Sequence, residues 1–159
     1  MHKDSQGFEQ SCVLADLAAT DALGARIAAS MAIGDSIALK GDLGAGKTTL
    51  ARAILRALGV SETVPSPTFT LVQSYDTARL TVRHFDLYRI VESSELDELG
   101  IDEALEDGAA LVEWPERAGT RLPVDALQVT LTTNAKGRRV HLSGPRRWAN
   151  AFAGMAHVH

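Results

Sequence analysis

The spacing of hydrophobic residues predicts an alternation of helices and strands. Leu23, Ile27 and Met31 recur at i, i+4 and i+8, which places one apolar stripe along a helix, and Thr20 precedes them in the position of an N-cap. By contrast, the run Ala109–Val112 is apolar throughout, which is typical of a strand buried on both faces of a sheet. The pattern therefore predicts an α/β protein.

The same pattern places the remaining elements. Two pairs of neighbouring strands are joined by short polar turns, which predicts two antiparallel hairpins. Trp148 and Phe152 are the large apolar residues of the segment beyond Pro145, which we expect to form a short, peripheral amphipathic turn. The other predicted elements are strands at 8–14, 36–40, 68–75, 80–87, 127–133 and 138–142 and helices at 47–58 and 93–105, the last interrupted at Gly100.

Length and composition narrow the class of protein. The 159 residues suffice for about one domain, and no repeat or linker divides them. The formal net charge of -4 disfavours a protein that grips a bare phosphate backbone through positive charge. Cys12 is the single cysteine, so an internal disulfide is excluded. No apolar stretch has the length of a signal-peptide core or a membrane span, so we expect a cytoplasmic protein without membrane contact.

A glycine-rich loop stands between the predicted strand 36–40 and the predicted helix 47–58. Its residues Gly41–Thr48 match G-x-x-x-x-G-K-[ST] in full, in the strand–loop–helix context that the motif requires. Glycines let backbone amides close around a phosphate, Lys47 supplies positive charge to the β- and γ-phosphates, and the Thr48 hydroxyl is placed to ligate Mg²⁺. The motif predicts a P-loop NTPase-like α/β fold, with a mainly parallel sheet flanked by helices and added antiparallel hairpins. The residues predicted to bind the nucleotide are Asp42, Gly44, Ala45, Gly46, Lys47, Thr48 and Thr49.

Two acidic residues stand where the chemistry of the loop needs them. Glu113 closes the apolar strand, and ligands of open α/β sheets bind at the carboxyl ends of strands. Glu113 therefore has the position of a Walker B acid and, with Thr48, is the expected Mg²⁺ ligand; a solvated glutamate at a strand end is the alternative. Asp86, between two apolar residues, is expected to face the γ-phosphate or its attacking water, unless it only forms a turn. We expect His84 beside it to be a half-buried ring rather than a base.

The segment after the loop helix leaves two interpretations open. Thr68 in Pro65–Thr68 is either a switch residue that reaches the γ-phosphate and Mg²⁺ or part of a rigid connection held by two prolines. The chain has no N-K-x-D tetrad, which favours ATP over GTP. After Glu113 the chain is short for the lid and acceptor pocket of a P-loop small-molecule kinase, which is the alternative enzyme class. A non-catalytic, nucleotide-gated binding module is the third possibility, and the sequence shows no obvious arginine finger.

Five sequence blocks occur together in a fixed order. They are GDLGAGKTT at Gly41–Thr49, SPTFTLV at Ser66–Val72, HFDLYR at His84–Arg89, ELG at Glu98–Gly100 and VEWP at Val112–Pro115. Over roughly residues 20–123 the chain thus resembles the TsaE (YjeE) family of bacterial ATPases, and none of the catalytic blocks departs from the family pattern. This combination is far more specific than the phosphate loop alone.

The resemblance implies a function and a set of residue roles. The family takes part in making N6-threonylcarbamoyladenosine at position 37 of tRNAs that read ANN codons, and its ATP hydrolysis supports repeated turnover without transferring the group itself. The implied partners are the transferase subunit (TsaD-like) and its inactive paralogue (TsaB-like), with tRNA reached only through that complex. The implied roles are phosphate binding for Lys47, Mg²⁺ binding for Thr48 and Glu113, hydrolysis for Asp86, the switch for Thr68 and a place beside the site for Trp114.

Overall fold

The structure, a computed structural model, describes residues 7–42, 44–61, 71–90, 94–134 and 137–155. Its helices are α1 (Leu17–Ser30), α2 (Lys47–Ala57), α3 (Glu95–Leu99) and α4 (Ile101–Asp107), and its strands are β1 (Gly7–Leu14), β2 (Ser36–Lys40), β3 (Val72–Asp76), β4 (Thr81–Asp86), β5 (Gly108–Glu113), β6 (Leu127–Asn134) and β7 (Gly137–Pro145). The predicted order of elements is confirmed, although the predicted starts at Thr68 and Ser93 lie outside the described residues. Within the described ranges, none of the helices is both long and apolar enough to cross a bilayer.

One sheet of seven strands, in the order β1-β7-β6-β2-β5-β4-β3, organises the fold. Its four central strands, β6, β2, β5 and β4, are parallel, and the pairs at both edges are antiparallel. This confirms the predicted parallel sheet with two added hairpins. The parallel register brings the carboxyl ends of β2, β5 and β4 to one edge, because Leu39 pairs with Glu113 and Asp86 pairs with Glu113 as well.

The two faces of the sheet bury different clusters. Strand β5 is buried along its whole length, as its apolar run predicts, and contributes Leu111 to one face and Val112 to the other. The apolar residues of α1 and α2 pack on the Leu111 face together with Val82 of β4, whereas α3 and α4 pack on the Val112 face. Because side chains alternate along a strand, His84 and Asp86 of β4 share the face of Val82, beneath the helix that follows the glycine-rich loop.

Helix α1 begins earlier than the sequence predicts, and Thr20 is not its N-cap. Asp16 caps the helix, since its Oδ1 accepts a hydrogen bond of 2.9 Å from the Ala19 amide. Thr20 lies one turn inside the helix and is buried. A carboxylate at N-cap satisfies an amide that would otherwise lack a partner, so the helix starts at Asp16 even though the apolar stripe begins only at Leu23.

The segment 146–152 is not peripheral, which corrects the expectation for the chain beyond Pro145. It forms a 3₁₀ helix in which Trp148 and Phe152 are almost fully buried. The Phe152 ring stacks on Phe8 of β1 with 5.8 Å between ring centroids, and Gln10 Nε2 donates to the Phe152 carbonyl at 3.2 Å. The segment covers β1, an edge strand whose inward-facing residues need a packing partner, and this long-range need is not visible in the local pattern.

Candidate nucleotide-binding site

A cleft of about 510 Å³ opens at the edge where β2, β5 and β4 end. Its lining brings together most of the residues that the sequence predicts for the site, from the glycine-rich loop, the start of α2 and the ends of two strands. The lining residues are Gly44, Gly46, Lys47, Thr48, Thr49, Asp86, Tyr88, Glu113, Trp114 and Arg138. Thr68 lies outside the described residues, so its predicted switch role stays a prediction.

The glycines of the loop have the backbone conformations that the motif requires. Gly41, Gly44 and Gly46 all have positive φ angles, of 148°, 82° and 109°. At Gly41 a Cβ atom would also lie 2.6 Å from the Leu131 carbonyl oxygen, so no larger residue fits there without a shift. Gly46 is the N-cap of α2 and contributes no side-chain acceptor, so the first amides of this helix are available to an anion.

Two predicted contact residues do not present their side chains to the cleft. The Ala45 methyl group is buried in the core, and the Ala45 amide donates to the Asp42 carbonyl at 3.0 Å. The Asp42 side chain is exposed. Both residues shape the turn, and their assignment to nucleotide binding stays a prediction about the backbone.

Lys47 is buried and is held by the loop itself. Its Nζ donates to the Gly41 carbonyl and, at 3.0 Å, to the Asp42 carbonyl, and it lies 4.1 Å from the centroid of the Trp114 ring. Burial lowers the pKa of the Lys47 ammonium, while nearby carboxylates, Glu113 foremost, act in the opposite direction. These contacts keep the buried Lys47 ammonium at the N-terminus of α2, where a bound phosphate group would supply the opposite charge.

Glu113 stands at the centre of a buried polar contact between α2, β4 and β5. The Thr48 hydroxyl lies 2.9 Å from Oε1 and 3.0 Å from Oε2 of Glu113, and His84 Nε2 lies 2.7 Å from Oε2. Glu113 is only 2% exposed, so the alternative of a solvated strand-end glutamate is wrong. His84 is fully buried, not half-buried as expected from its position in the sequence.

Asp86 combines the two interpretations that the sequence left open. It lines the cleft and is 4% exposed, opposite Glu113 in the β4–β5 register. Its Oδ1 also accepts a hydrogen bond of 3.0 Å from the Tyr88 amide, as a turn-forming aspartate does. The turn fixes the carboxylate at the strand end, where it lines the cleft; that it faces the γ-phosphate or its attacking water stays a prediction.

Sequence reasoning missed Arg138. It stands at the start of β7, and its Nη1 lies 3.3 Å from the position of a Cβ on Gly46. The structure gives its side chain no hydrogen-bond or ion-pair partner among the residues it describes. An arginine of this chain therefore lines the cleft, although none stood out in the sequence as an arginine finger. The signal was the predicted final hairpin: β6 runs parallel to β2, so the start of β7, which pairs with the end of β6, lies at the same edge of the sheet as the phosphate loop.

An aromatic pair closes the side of the cleft beyond Glu113. The rings of Tyr88 and Trp114 have centroids 4.9 Å apart, and Trp114 has a left-handed backbone with φ of 59°. Left-handed non-glycine residues are uncommon and store strain of about 1–3 kcal/mol, which the surrounding structure must offset. The Trp114 conformation turns the chain at the end of β5 while the ring faces Lys47, as expected for a residue beside the site.

The donor set suits a hard cation that brings other ligands with it. In the part of the chain that the structure describes, no group of three or more His, Cys, Asp or Glu side chains is arranged to hold a metal. Thr48 and Glu113 offer only oxygen atoms, and Mg²⁺ usually takes one or two protein ligands plus phosphate oxygens and water. The pair therefore fits Mg²⁺ bound together with a nucleotide better than a metal held by protein alone.

The fold and the site define the P-loop class of α/β proteins. A glycine-rich loop and a helix follow one parallel strand at the carboxyl edge of the sheet, and the neighbouring strand ends in a buried carboxylate. Residues 14–140 match the family model described as "Threonylcarbamoyl adenosine biosynthesis protein TsaE". The chain belongs to this family, which confirms the resemblance seen in its sequence blocks.

Individual relatives agree with this membership. A tRNA threonylcarbamoyladenosine biosynthesis protein TsaE from Bacillus subtilis is 40% identical over 113 residues, which are 70% of this chain and 70% of that protein. One from a Nostoc species is 38% identical over 131 residues, 79% of this chain and 80% of that protein. The crystal structure of Bacillus subtilis YdiB is similar with a TM-score of 0.73 and 28% identity, covering 92% of this chain and 91% of that one. Family membership thus places the chain in tRNA threonylcarbamoyladenosine biosynthesis.

Proposed function

We propose that this chain is the Mg²⁺-dependent ATPase component of the system that makes N6-threonylcarbamoyladenosine at position 37 of tRNAs reading ANN codons. It supports repeated turnover of the transferase complex and does not transfer the group itself. The observation that carries the proposal is the convergence of Lys47, Thr48 and Glu113 in one cleft of a TsaE-family fold. A phosphate-binding lysine, a hydroxyl and a buried carboxylate are the parts that nucleotide hydrolysis requires.

The residues of the loop and of α2 bind and orient the phosphates. Lys47 exchanges its contacts with the loop carbonyls for the β- and γ-phosphates, and the first amides of α2 donate to phosphate oxygens. Thr48 and Glu113 hold Mg²⁺, which supplies positive charge to the phosphate oxygens when it is bound. Arg138 adds a second cation beside the loop at Gly46.

The residues at the strand ends act on the attacking water. Asp86 is the carboxylate that orients this water or accepts its proton, because it lines the cleft opposite Glu113 and its own position is fixed by the turn. Thr68 senses the γ-phosphate in this proposal and passes its presence to the partner proteins. The absence of an N-K-x-D tetrad supports adenine as the base.

The partners in this proposal are the transferase subunit (TsaD-like) and its inactive paralogue (TsaB-like). The net charge of -4 supports a chain that contacts tRNA only through that complex. In this proposal the chain acts in the cytoplasm. Hydrolysis by the isolated chain is slow and rises when the partners bind, since a protein partner can complete a transition-state site with effects of about 10³–10⁵ in rate.

The test is steady-state phosphate release with the transferase complex added stepwise. Wild type should be slow alone and stimulated by the complex, and Asp86→Ala should lose about 10²-fold or more of the stimulated rate while it still binds nucleotide. Thr68→Ala should lose the partner response. A wild-type chain that hydrolyses ATP at full rate without partners would refute the partner dependence, and normal stimulation of Thr68→Ala would remove the switch role from that residue.

A further inference from the structure

His84 is a buried polar residue that the proposed chemistry leaves unused. None of its side chain is exposed, and its Nε2 lies 2.7 Å from Oε2 of Glu113. The strand register explains the contact: His84 pairs with Leu111 and Asp86 with Glu113, so His84 and Glu113 lie diagonally on the sheet face beneath α2. The contact joins two strands inside the core and is not a surface pairing.

We infer that His84 is a positioning residue, which holds the Glu113 carboxylate in the orientation that lets Glu113 and Thr48 share one metal ion; the inference rests on the proposed function. The Thr48 hydroxyl has one proton and lies almost equally far from both carboxylate oxygens, at 2.9 Å and 3.0 Å. That contact alone does not select one oxygen. The His84 contact is made with Oε2 only, so a donor from His84 fixes the rotation of the carboxylate and leaves Oε1 for other ligands.

A purely space-filling role does not account for a histidine at this position. The Nδ1 atom of His84 is buried without a hydrogen-bond partner among the described residues. An apolar side chain of similar size would fill the same space and leave no buried nitrogen unsatisfied. The contact from Nε2 to Glu113 is therefore the interaction that explains an imidazole at this position. It holds the end of β5, which carries Glu113, in place beside α2.

Three substitutions separate positioning from packing. Glutamine places an amide N–H near the position of Nε2, asparagine places the same group near the position of Nδ1, and leucine offers no donor. We would compare His84→Gln, His84→Asn and His84→Leu with wild type, and use His141→Gln as the control. His141 is a partly exposed histidine on β7 whose Nδ1 contacts Ser11 at 2.8 Å, remote from the Glu113 carboxylate.

The measurement is Mn²⁺ binding in the presence of ADP, followed by electron paramagnetic resonance, together with mant-ADP affinity with and without metal. We expect His84→Asn and His84→Leu to bind Mn²⁺ about 10–100-fold more weakly, the usual effect of removing an outer partner of a metal ligand. His84→Gln and the His141 control should stay near wild type, and metal-free mant-ADP affinity should change in none of them. Equal weakening in all three His84 variants, or wild-type Mn²⁺ affinity in His84→Leu, would overturn the inference.

A measurement on the wild type keeps the inference testable if a variant fails to fold. In protein labelled with ¹⁵N-histidine, the hydrogen-bonded Nε2–H signal of His84 should shift when ADP and Mg²⁺ are added together and not when ADP is added alone. A signal that ignores the metal would contradict the positioning role. A wild type that binds no mant-ADP would overturn the proposed function and this role together, whereas normal nucleotide binding with a metal-insensitive His84 would overturn only the latter.

Discussion

Replacing Glu113 with glutamine should make the fold more stable while it slows ATP hydrolysis. Glu113 is 2% exposed, and its oxygens contact Thr48 Oγ1 and His84 Nε2. A glutamine of the same shape keeps a carbonyl acceptor for His84 and offers an amide N–H to the Thr48 oxygen, so no buried polar atom loses its partner. The substitution therefore removes one buried negative charge and changes little else.

The size of the stability change follows from two opposing contributions. Burial of the Glu113 charge and its proximity to Asp86 oppose folding of the wild type, whereas its attraction to Lys47 favours folding. Asp86 still faces Lys47 in the variant, so loss of the Glu113 charge relieves the repulsion between two neighbouring carboxylates without leaving the lysine uncompensated. We therefore expect about 1 kcal/mol of added stability. For a domain of this size that gain raises the melting temperature by about 2–4 °C.

The assay combines thermal unfolding of the nucleotide-free protein with partner-stimulated phosphate release. Glu113→Gln should melt above wild type and lose about 10²-fold or more in turnover. Glu116→Gln is the matched control, since Glu116 is exposed three residues along the chain and contributes to the field at Lys47. A lower melting temperature would refute the reasoning about the buried charge, and wild-type turnover would refute the assignment of Glu113 to the metal.

Three further substitutions test the loop, the cleft and the core. Lys47→Ala should abolish mant-ATP binding, because the phosphates lose their main counter-charge; wild-type affinity would show that the loop is not the site. Arg138→Ala should weaken mant-ADP binding about 10-fold at unchanged melting temperature, since its guanidinium lies beside Gly46, and unaltered affinity would exclude a contact. Gly24→Ala should destabilise the fold by about 1–3 kcal/mol, because its Cβ would lie 2.7 Å from that of Ala53; a melting temperature at or above wild type would contradict this packing.

The parts of the site that the sequence predicts correctly are those set by local rules. The loop Gly41–Thr48 carries its own conformational requirements, and the apolar run before Glu113 indicates a central strand whose end must reach the same edge as the loop. These two observations suffice to predict from the sequence alone that Lys47, Thr48 and Glu113 lie close together.

The parts that the sequence did not predict depend on partners distant along the chain. Arg138 reaches the cleft because β6 is parallel to β2, and Trp148 is buried because an edge strand needs a cover. Burial of His84 depends on the diagonal between two strands, which a single-strand pattern does not contain. The difference between the predicted helix start at Thr20 and the observed one has a local cause, because the capping Asp16 lies outside the apolar stripe that marks the helix.

The packing of the 146–152 segment on β1 has a consequence for the order in which parts of the protein unfold locally. Gly7 pairs with Pro145 and Leu14 with Arg138, so β1 lies along the whole of β7, while Phe8 and Gln10 contact Phe152. Because the two pieces pack against each other at the edge of the sheet, amides along β1 should exchange with solvent deuterium in a single cooperative step. That step loosens the strand that carries Arg138 and leaves β2, β5 and β4 paired, so the cleft would lose Arg138 before it loses Lys47.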